Sequence, residues 1–166
     1  MLRFALVFLG VLIALFVLEL TPPGQEFFVV PWTNAVAAAS VAIVKAFDPA
    51  VVAQGAVIIS TKTGFAVQIL AGCNGVEAMI VLIAGVLAFP ATWPQRAAGI
   101  AIGVVAIQAL NLVRIVSLFY LGQWDRQWFE WAHLYVWQAV IMLDALIVWL
   151  LWLRAVRKPA PDAALA

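Results

Sequence analysis

Long apolar stretches dominate this chain, and their lengths predict about four membrane-spanning helices. The stretches cover residues 4–20, 76–90, 97–121 and 133–153, and each is close to the roughly 20 apolar residues that a spanning helix needs. The first stretch follows Arg3 and leads into the sequence ELTPPG, which offers no small-x-small cleavage site. We therefore interpret it as a retained anchor and not as a cleaved signal peptide.

The region 21–72 is more polar, and its pattern predicts two smaller elements. Thr33 is a suitable N-cap for a helix near residues 34–47, where apolar side chains recur at helical spacing. About 14 residues is short for a span, so we expect this helix to lie at the membrane interface. Residues 56–60 and 65–70 are rich in β-branched and aromatic side chains and flank the turn sequence TKTG, which predicts a β-hairpin.

Composition supports the membrane interpretation and limits the classes of function. The chain is 67% hydrophobic and 10% charged, more apolar than a soluble domain of this size. The predicted fold is an all-α integral membrane protein with about four transmembrane helices, an interfacial helix and a short extracytoplasmic β-hairpin. It forms one domain over residues 1–158, followed by a flexible tail at 159–166. A net charge of +1 argues against nucleic acid as a partner. The single cysteine excludes an intrachain disulfide and an all-cysteine metal site. We expect no metal and no cofactor.

The positions of the charged residues predict the orientation in the membrane. With four spans, one side carries Arg3, Arg96, Arg154, Arg157 and Lys158, and the other carries Lys45, Lys62 and Arg126 together with Asp48, Asp125 and Glu130. The positive-inside rule then places both termini in the cytoplasm. The hairpin and a tryptophan-rich loop at 122–132 become extracytoplasmic. If the segment 34–47 crosses the membrane, the number of spans changes and this assignment of residues to the two sides is wrong.

This orientation brings unusual polar residues to the outer membrane border. Cys73, the only cysteine, lies in the sequence GCNGVE at the outer end of the second span. Arg114 lies roughly 10 Å inside the outer end of the third span, and His133 begins the fourth. Glu77 is the expected counter-ion of Arg114, one helical turn from Cys73. Asn74 and Asn111 are expected to support the site.

Each of these residues also has an ordinary structural explanation. A single membrane cysteine is often a small apolar filler, a histidine beside tryptophans is often interfacial, and Arg114 could form an ion pair with Glu77. The combination indicates chemistry, because a base or a positive field activates a thiol and an arginine can hold a developing oxyanion. Together they predict acyl transfer through a thioester on Cys73. Asp144 and Gln108 have no assigned role.

The three segments GCNGVE, NLVRI and WAHLYVWQ resemble the exosortase/archaeosortase family of membrane transpeptidases. The resemblance covers roughly residues 50–150, and the compact four-span layout looks most like exosortase H. It implies that Cys73 is the nucleophile and that Arg114 and His133 complete the active site. It also implies a bacterial cytoplasmic membrane as the location.

The resemblance further implies a class of substrate. These are secreted proteins with a C-terminal sorting signal, which consists of a short motif, a hydrophobic helix and a basic tail. The exosortase H type is associated with an IPTL-type signal. Cleavage would leave the substrate on Cys73 as a thioester, and the substrate would then pass to an acceptor nucleophile. The protein itself would be surrounded by membrane lipid. Neither the acceptor nor the motif can be read from this chain.

A non-enzymatic alternative remains open from sequence alone. In a small transport or scaffold protein, Arg114, Glu77 and Asp144 would be structural residues or would line a pathway. No span is interrupted by a proline in its middle, whereas transporter helices are often discontinuous. Neutral behaviour of Cys73→Ala would favour this alternative.

Overall fold

The computed structural model describes residues 2–157, so the predicted tail at 159–166 lies outside the described residues. Seven α-helices, two π-helical turns and one small antiparallel sheet make up this part of the chain. In chain order they are α1 Leu2–Leu20, α2 Pro22–Gly24, the π-helical turn Gln25–Val29, α3 Val30–Lys45, β1 Val51–Gln54, β2 Val57–Ser60, β3 Ala66–Gln68, α4 Val76–Ala88, α5 Trp93–Trp124, α6 Arg126–Trp131, the π-helical turn Ala132–Val136 and α7 Trp137–Arg157. The predicted all-α membrane fold is confirmed.

Four helical stretches are long and apolar enough to cross a membrane, and they are Leu2–Leu20, Pro22–Lys45, Trp93–Trp124 and Arg126–Arg157. The number matches the prediction, but the set differs from it. The predicted span at 76–90 is the 13-residue helix α4, about 20 Å long at 1.5 Å per residue and therefore shorter than a hydrocarbon core. It packs between α1, α5 and α7, so protein surrounds its ends.

The predicted interfacial helix is wrong in length. The helical stretch Pro22–Lys45 is 24 residues long, and the side chain of Thr21 caps it by accepting the N–H of Gly24 at 3.2 Å. Thr33 is therefore not an N-cap but lies inside the helix, where its hydroxyl donates to the carbonyl of Val29 at 2.7 Å. A π-helical turn directly precedes Pro31, and its wider spacing accommodates a residue that lacks an N–H.

This longer helix does not return along α1, and the predicted orientation in the membrane stays a prediction. Helix α1 runs antiparallel to α4: Phe4 lies near Gly85, whereas Leu18 lies near Val76. The indole of Trp32 then reaches the carbonyl of Asn74. Beyond that point α3 packs on the C-terminal half of α5 and on the sheet, in one cluster formed by Val36, Ala37, Val41, Val44, Val51, Ile58, Ile69, Ile115 and Phe119. The chain therefore continues in the direction of α1, beyond the level of Cys73.

Two further sequence expectations are corrected. The predicted hairpin is a three-stranded meander in the order β1-β2-β3. The additional strand β1 is only four residues long and follows Asp48-Pro49 directly, so no alternating pattern marks it. The predicted loop 122–132 is mostly helical, since α5 continues to Trp124 and the carboxylate of Asp125 caps α6 by accepting two backbone N–H groups.

The membrane bundle and the sheet region have separate hydrophobic cores. The bundle core includes Val76, Met79, Ile80, Leu82, Val86, Ile107 and Ala145, contributed by α4, α5 and α7. Arg3, Arg96 and Arg157 surround one cavity at the end of the bundle that is farthest from the sheet, as the charge pattern predicted. Cys73 lies between the two cores, in the connection from β3 to α4.

Candidate active site

The loop that carries Cys73 is a tight turn that depends on two glycines. Gly72 and Gly75 have φ angles of +81° and +79°, in the left-handed region that favours glycine. A Cβ on Gly75 would also overlap the side-chain amide of Gln108. The N–H of Cys73 donates to the carbonyl of Leu70 at 3.0 Å. The turn thus ends the sheet and presents the thiol just before α4 begins.

Asn74, predicted as a supporting residue, anchors this turn and is fully buried. Its side-chain oxygen accepts the N–H of Val76 at 3.0 Å, and its amide donates to the hydroxyl of Thr33 at 3.1 Å. Its backbone carbonyl accepts the indole N–H of Trp32 at 3.3 Å and the amide of Gln108 at 3.2 Å. All polar groups of the side chain are used inside the protein, so Asn74 positions Cys73 and is not free to bind a ligand.

Arg114 reaches this turn from α5 and is almost completely buried, with 2% of its surface exposed. One terminal nitrogen, Nη1, donates to the carbonyl of Gly72 at 3.1 Å, and Nη2 donates to Sγ of Cys73 at 3.4 Å. The buried Nε has no protein partner. Two of the five N–H donors of the guanidinium therefore hold the turn that carries Cys73.

The predicted ion pair between Glu77 and Arg114 is wrong. A carboxylate oxygen of Glu77 instead accepts the backbone N–H of Gly72. Among residues 2–157, the two salt bridges within 4.0 Å are Lys62–Asp48 and Arg126–Glu130. Glu77 lies in the first turn of α4, where a carboxylate is favoured by the helix dipole, and from there it closes the loop around Cys73. The side chain of Arg114 is thus a buried cation without a carboxylate partner in the described part of the chain.

His133 completes the group from a third element, the π-helical turn Ala132–Val136. Its Nε2 lies 4.0 Å from Sγ of Cys73. The imidazole stacks on the ring of Phe129, with centroids 5.7 Å apart and planes inclined by 2°. The buried Nδ1 has no hydrogen-bond partner within residues 2–157. Stacking on Phe129, and not a hydrogen-bonded third residue, therefore orients this ring.

The surroundings of Cys73 disfavour the charged form of its thiol. Burial raises the pKa of Cys73 above its usual value, the positive charge of Arg114 opposes this rise, and the charge of Glu77 adds to it. A thiol with a raised pKa is a poor nucleophile at neutral pH. Such a thiol needs a base to become a nucleophile, and Nε2 of His133 lies 4.0 Å from its sulfur.

The structure places the other polar residues farther from the thiol chemistry. Asn111 is fully buried and its amide donates to Oε1 of Gln108 at 3.4 Å, so it contacts the residue that holds Asn74. Asp144 lies in α7, and its Oδ2 has no partner in the described part of the chain. No group of three or more His, Cys, Asp or Glu side chains in residues 2–157 could hold a metal ion.

Sequence analysis missed three residues that shape the site. Trp32 and Gln108 hold the carbonyl of Asn74, and Phe129 orients His133. Trp32 lies 42 positions from Asn74 in sequence, so no local pattern marked it. Gln108 could have been identified because it is a polar residue inside a predicted membrane span.

A groove of about 540 Å³ opens beside the thiol. One wall is the segment 65–71, which includes β3. The opposite wall is α6 with His133, and the floor is the C-terminal half of α5. Its lining residues include Val67, Gln68, Cys73, Arg114, Leu118, Phe129 and His133. The groove therefore extends from the segment 65–71 to the thiol of Cys73.

A thiol, a buried cation and an imidazole in one groove are suited to acyl transfer. In such chemistry a thiol can act as the nucleophile, an imidazole can move protons, and a guanidinium can stabilise negative charge on oxygen. The chain matches the family model described as "Transmembrane exosortase (Exosortase_EpsH)" over residues 2–153. No curated protein and no solved structure shows a match to the chain.

Proposed function

The chain belongs to the transmembrane exosortase family, and from this membership and the geometry of the site we propose that it is a cysteine transpeptidase. Its substrates are secreted, membrane-anchored proteins with a C-terminal sorting signal. It cleaves that signal through a thioester on Cys73 and transfers the substrate to an acceptor. The proposal rests on the general sorting role of the family, and the site residues supply the chemistry.

One observation carries this proposal: three separated segments bring one thiol, one arginine and one histidine together. The Arg114 guanidinium lies 3.4 Å from Sγ of Cys73, and the His133 imidazole lies 4.0 Å from it on another side. A filler cysteine has no need of either neighbour. A structural ion pair does not explain the burial of Arg114, since Glu77 hydrogen-bonds elsewhere.

The proposed reaction begins when His133 takes the proton of Cys73 and the thiolate attacks the carbonyl carbon of the scissile bond. A C–S bond forms, and the N–H groups of Arg114 stabilise the negative oxygen. The tetrahedral intermediate then collapses, the C–N bond breaks, and the leaving amine takes the proton from His133. An acceptor nucleophile next attacks the thioester and gives its proton to His133, the C–S bond breaks, and His133 returns the proton to the Cys73 thiolate. If water is the acceptor, the same steps amount to hydrolysis.

The active site is proposed to lie at the extracytoplasmic face of a bacterial cytoplasmic membrane. Arg114 is 21 residues beyond Trp93, or about 31 Å along α5, and this is close to one hydrocarbon thickness. The arginines Arg3, Arg96 and Arg157 mark the other end of the bundle, which the positive-inside rule assigns to the cytoplasm. A substrate whose hydrophobic helix lies in the bilayer would present its motif at the level of Cys73. The compact layout favours an exosortase H type and an IPTL-type motif.

Labelling of the single cysteine tests this orientation. A membrane-impermeant maleimide should reach Cys73 in spheroplasts and should react poorly in inverted vesicles. Because burial raises the pKa of Cys73, the thiolate fraction and the labelling rate should rise about tenfold per pH unit until that pKa is reached. Faster labelling from the cytoplasmic side would reverse the orientation, and Cys73→Ala serves as the unlabelled control.

Processing of a co-expressed substrate tests the function through His133. His133→Gln keeps a hydrogen-bonding side chain of similar size but cannot titrate, so processing should fall about 10²–10⁴-fold. Precursor, product and enzyme are quantified in the same membranes. The wild-type enzyme should convert precursor to product. Normal turnover by His133→Gln would remove His133 from proton transfer, and absence of processing by the wild-type enzyme on every sorting-signal substrate would contradict the function.

A further inference from the structure

One edge of the small sheet is free and borders the groove. The strand order is β1-β2-β3, so β3 has a neighbour on one side only. The groove is lined by residues 65–71 and by none of the β1 or β2 residues. It therefore lies along the side of β3 that faces away from β2.

The register identifies the backbone groups that point to this free edge. Ser60 N–H donates to the carbonyl of Phe65, and Ile69 N–H donates to the carbonyl of Ala56. In an antiparallel ladder the bonded pairs alternate, so Phe65, Val67 and Ile69 direct their backbone groups toward β2. Ala66 and Gln68, which lie between them, direct theirs outward. Their N–H and C=O groups have no other partner in residues 2–157 and are exposed to the groove.

The direction of β3 is also defined. The hydroxyl of Thr63 lies 3.0 Å from Oε1 of Gln123, and the carbonyl of Gly72 accepts from Arg114 at 3.1 Å. The segment from 63 to 72 therefore runs antiparallel to α5, toward the membrane bundle, and ends at Cys73. A peptide that lies beside it reaches the thiol at the membrane end of the groove.

We propose that the free edge of β3 binds the extended segment of the sorting signal as a fourth strand, parallel to β3. This inference rests on the proposed function, which places the hydrophobic helix of the substrate in the bilayer. The segment that precedes this helix then descends along the groove in the direction of β3. The substrate residue opposite Val67 donates its N–H to the carbonyl of Ala66, and its own carbonyl accepts the N–H of Gln68. This is the hydrogen-bond pattern of parallel strands.

This mode of binding explains why an open edge persists in so small a sheet. Exposed edges promote unwanted pairing, and proteins usually protect them. Here the edge is short, and α6 with its exposed Arg126–Glu130 ion pair stands across the groove. Backbone pairing aligns the substrate main chain with Cys73, because a strand added to an edge has one direction and one register.

A proline substitution on the enzyme tests the edge. Gln68→Pro removes the outward N–H, and proline is tolerated where an edge N–H faces away from the sheet. We expect KM for the substrate to rise about tenfold with little change in kcat, a larger effect than that of Gln68→Ala, which keeps the N–H. Ala53→Pro makes the matching change at the opposite edge, on β1. The backbone groups of Val52 and Gln54 face β2, so the N–H of Ala53 between them points away from the sheet. This control variant should keep a normal membrane level and an unchanged KM.

Changes on the substrate provide a test that does not alter the protein fold. Substrate peptides are N-methylated at one amide at a time across the segment before the hydrophobic helix. Two amides should be sensitive, those of the substrate residues opposite Val67 and Ile69, which donate to the outward carbonyls of Ala66 and Gln68, while methylation of the amide between them has little effect. The edge-pairing proposal would be overturned if N-methylation had no effect at any amide, or if Gln68→Pro and Ala53→Pro had equal KM values. The proposed function would still stand if the wild-type enzyme processes the substrate.

Hydrogen exchange separates failure of the proposal from failure of the proposed function. In Cys73→Ala, which cannot cleave, saturating unmethylated peptide should slow exchange of the segment 65–70 at least severalfold. No protection would overturn edge pairing whether or not the wild-type enzyme cleaves. If Gln68→Pro alters the oligomeric state but not peptide binding, the edge pairs with a second copy of the chain. This result would also overturn the edge-pairing proposal.

Discussion

Cys73→Ala should abolish processing and leave the protein in the membrane at its normal level. The methyl group cannot form a thioester, and the chain contains no other cysteine that could substitute for it. The thiol is a minor part of the core: Asn74 and the two flanking glycines hold the turn through their own contacts. We therefore expect loss of product below detection, with accumulation of uncleaved precursor. Immunoblots of precursor, product and enzyme in one membrane fraction measure all three quantities.

Cys73→Ser is the informative companion of this variant. A hydroxyl is a much weaker nucleophile than a thiolate unless a base activates it more strongly, and His133 has no hydrogen-bonded residue behind its Nδ1 in the described part of the chain. The serine enzyme should therefore be nearly as inactive as the alanine enzyme. Normal processing by Cys73→Ala would refute the thioester mechanism and would favour the transport or scaffold alternative.

Arg114→Lys should reduce processing by roughly 10²–10³-fold, the usual effect of losing one oxyanion donor. Lysine keeps the positive charge but lacks the planar fork. Its single ammonium nitrogen does not reproduce the fixed pair of nitrogens with which Nη1 and Nη2 of Arg114 bond the Gly72 carbonyl and the Cys73 sulfur. The turnover number should fall at an unchanged membrane level. Kinetics of the purified enzyme in detergent, with the Cys73 labelling rate measured beside it, separate chemistry from thiol activation.

Two variants serve as comparisons for Arg114→Lys. Arg96→Lys makes the same change near the other end of α5, where the guanidinium bonds the carbonyl of Phe89, and it should process substrate normally. Glu77→Gln should lose less activity than Arg114→Lys, because an amide oxygen can still accept the N–H of Gly72. Near-normal turnover by Arg114→Lys would leave Arg114 with a structural role only.

Local patterns were sufficient to predict much of this structure. The apolar stretches indicated α1, α5 and α7 because a helix in lipid must be apolar over most of its length. The sequence TKTG marked the turn between β2 and β3. The charged residues at the two ends of the spans indicated which helix ends share a membrane face. From that topology alone, Cys73, Arg114 and His133 were expected at one level, and the structure places a nitrogen of Arg114 and a nitrogen of His133 within 4.0 Å of the Cys73 sulfur.

Errors arose where the neighbours in space outweigh local preference. Thr33 has the chemistry of an N-cap, but the helix continues through it because its hydroxyl bonds the Val29 carbonyl and accepts from Asn74. Glu77 and Arg114 are opposite charges on adjacent helices, yet the nearer N–H of Gly72 takes the carboxylate. Sequence spacing cannot rank such competing partners, since their distances depend on the packing of several elements.

The sequence by itself determined that the protein is a membrane protein, which helix ends lie together and which residues carry reactive groups. These properties depend on side-chain polarity and on segment length, and both are local. Only the tertiary structure decided that Arg114 holds the turn that carries Cys73, that Phe129 orients His133 and that a free strand edge lines the groove. Those features require residues far apart in sequence to meet at hydrogen-bonding distance, and only the packing of α3, the sheet and α5 around Cys73 brings them there.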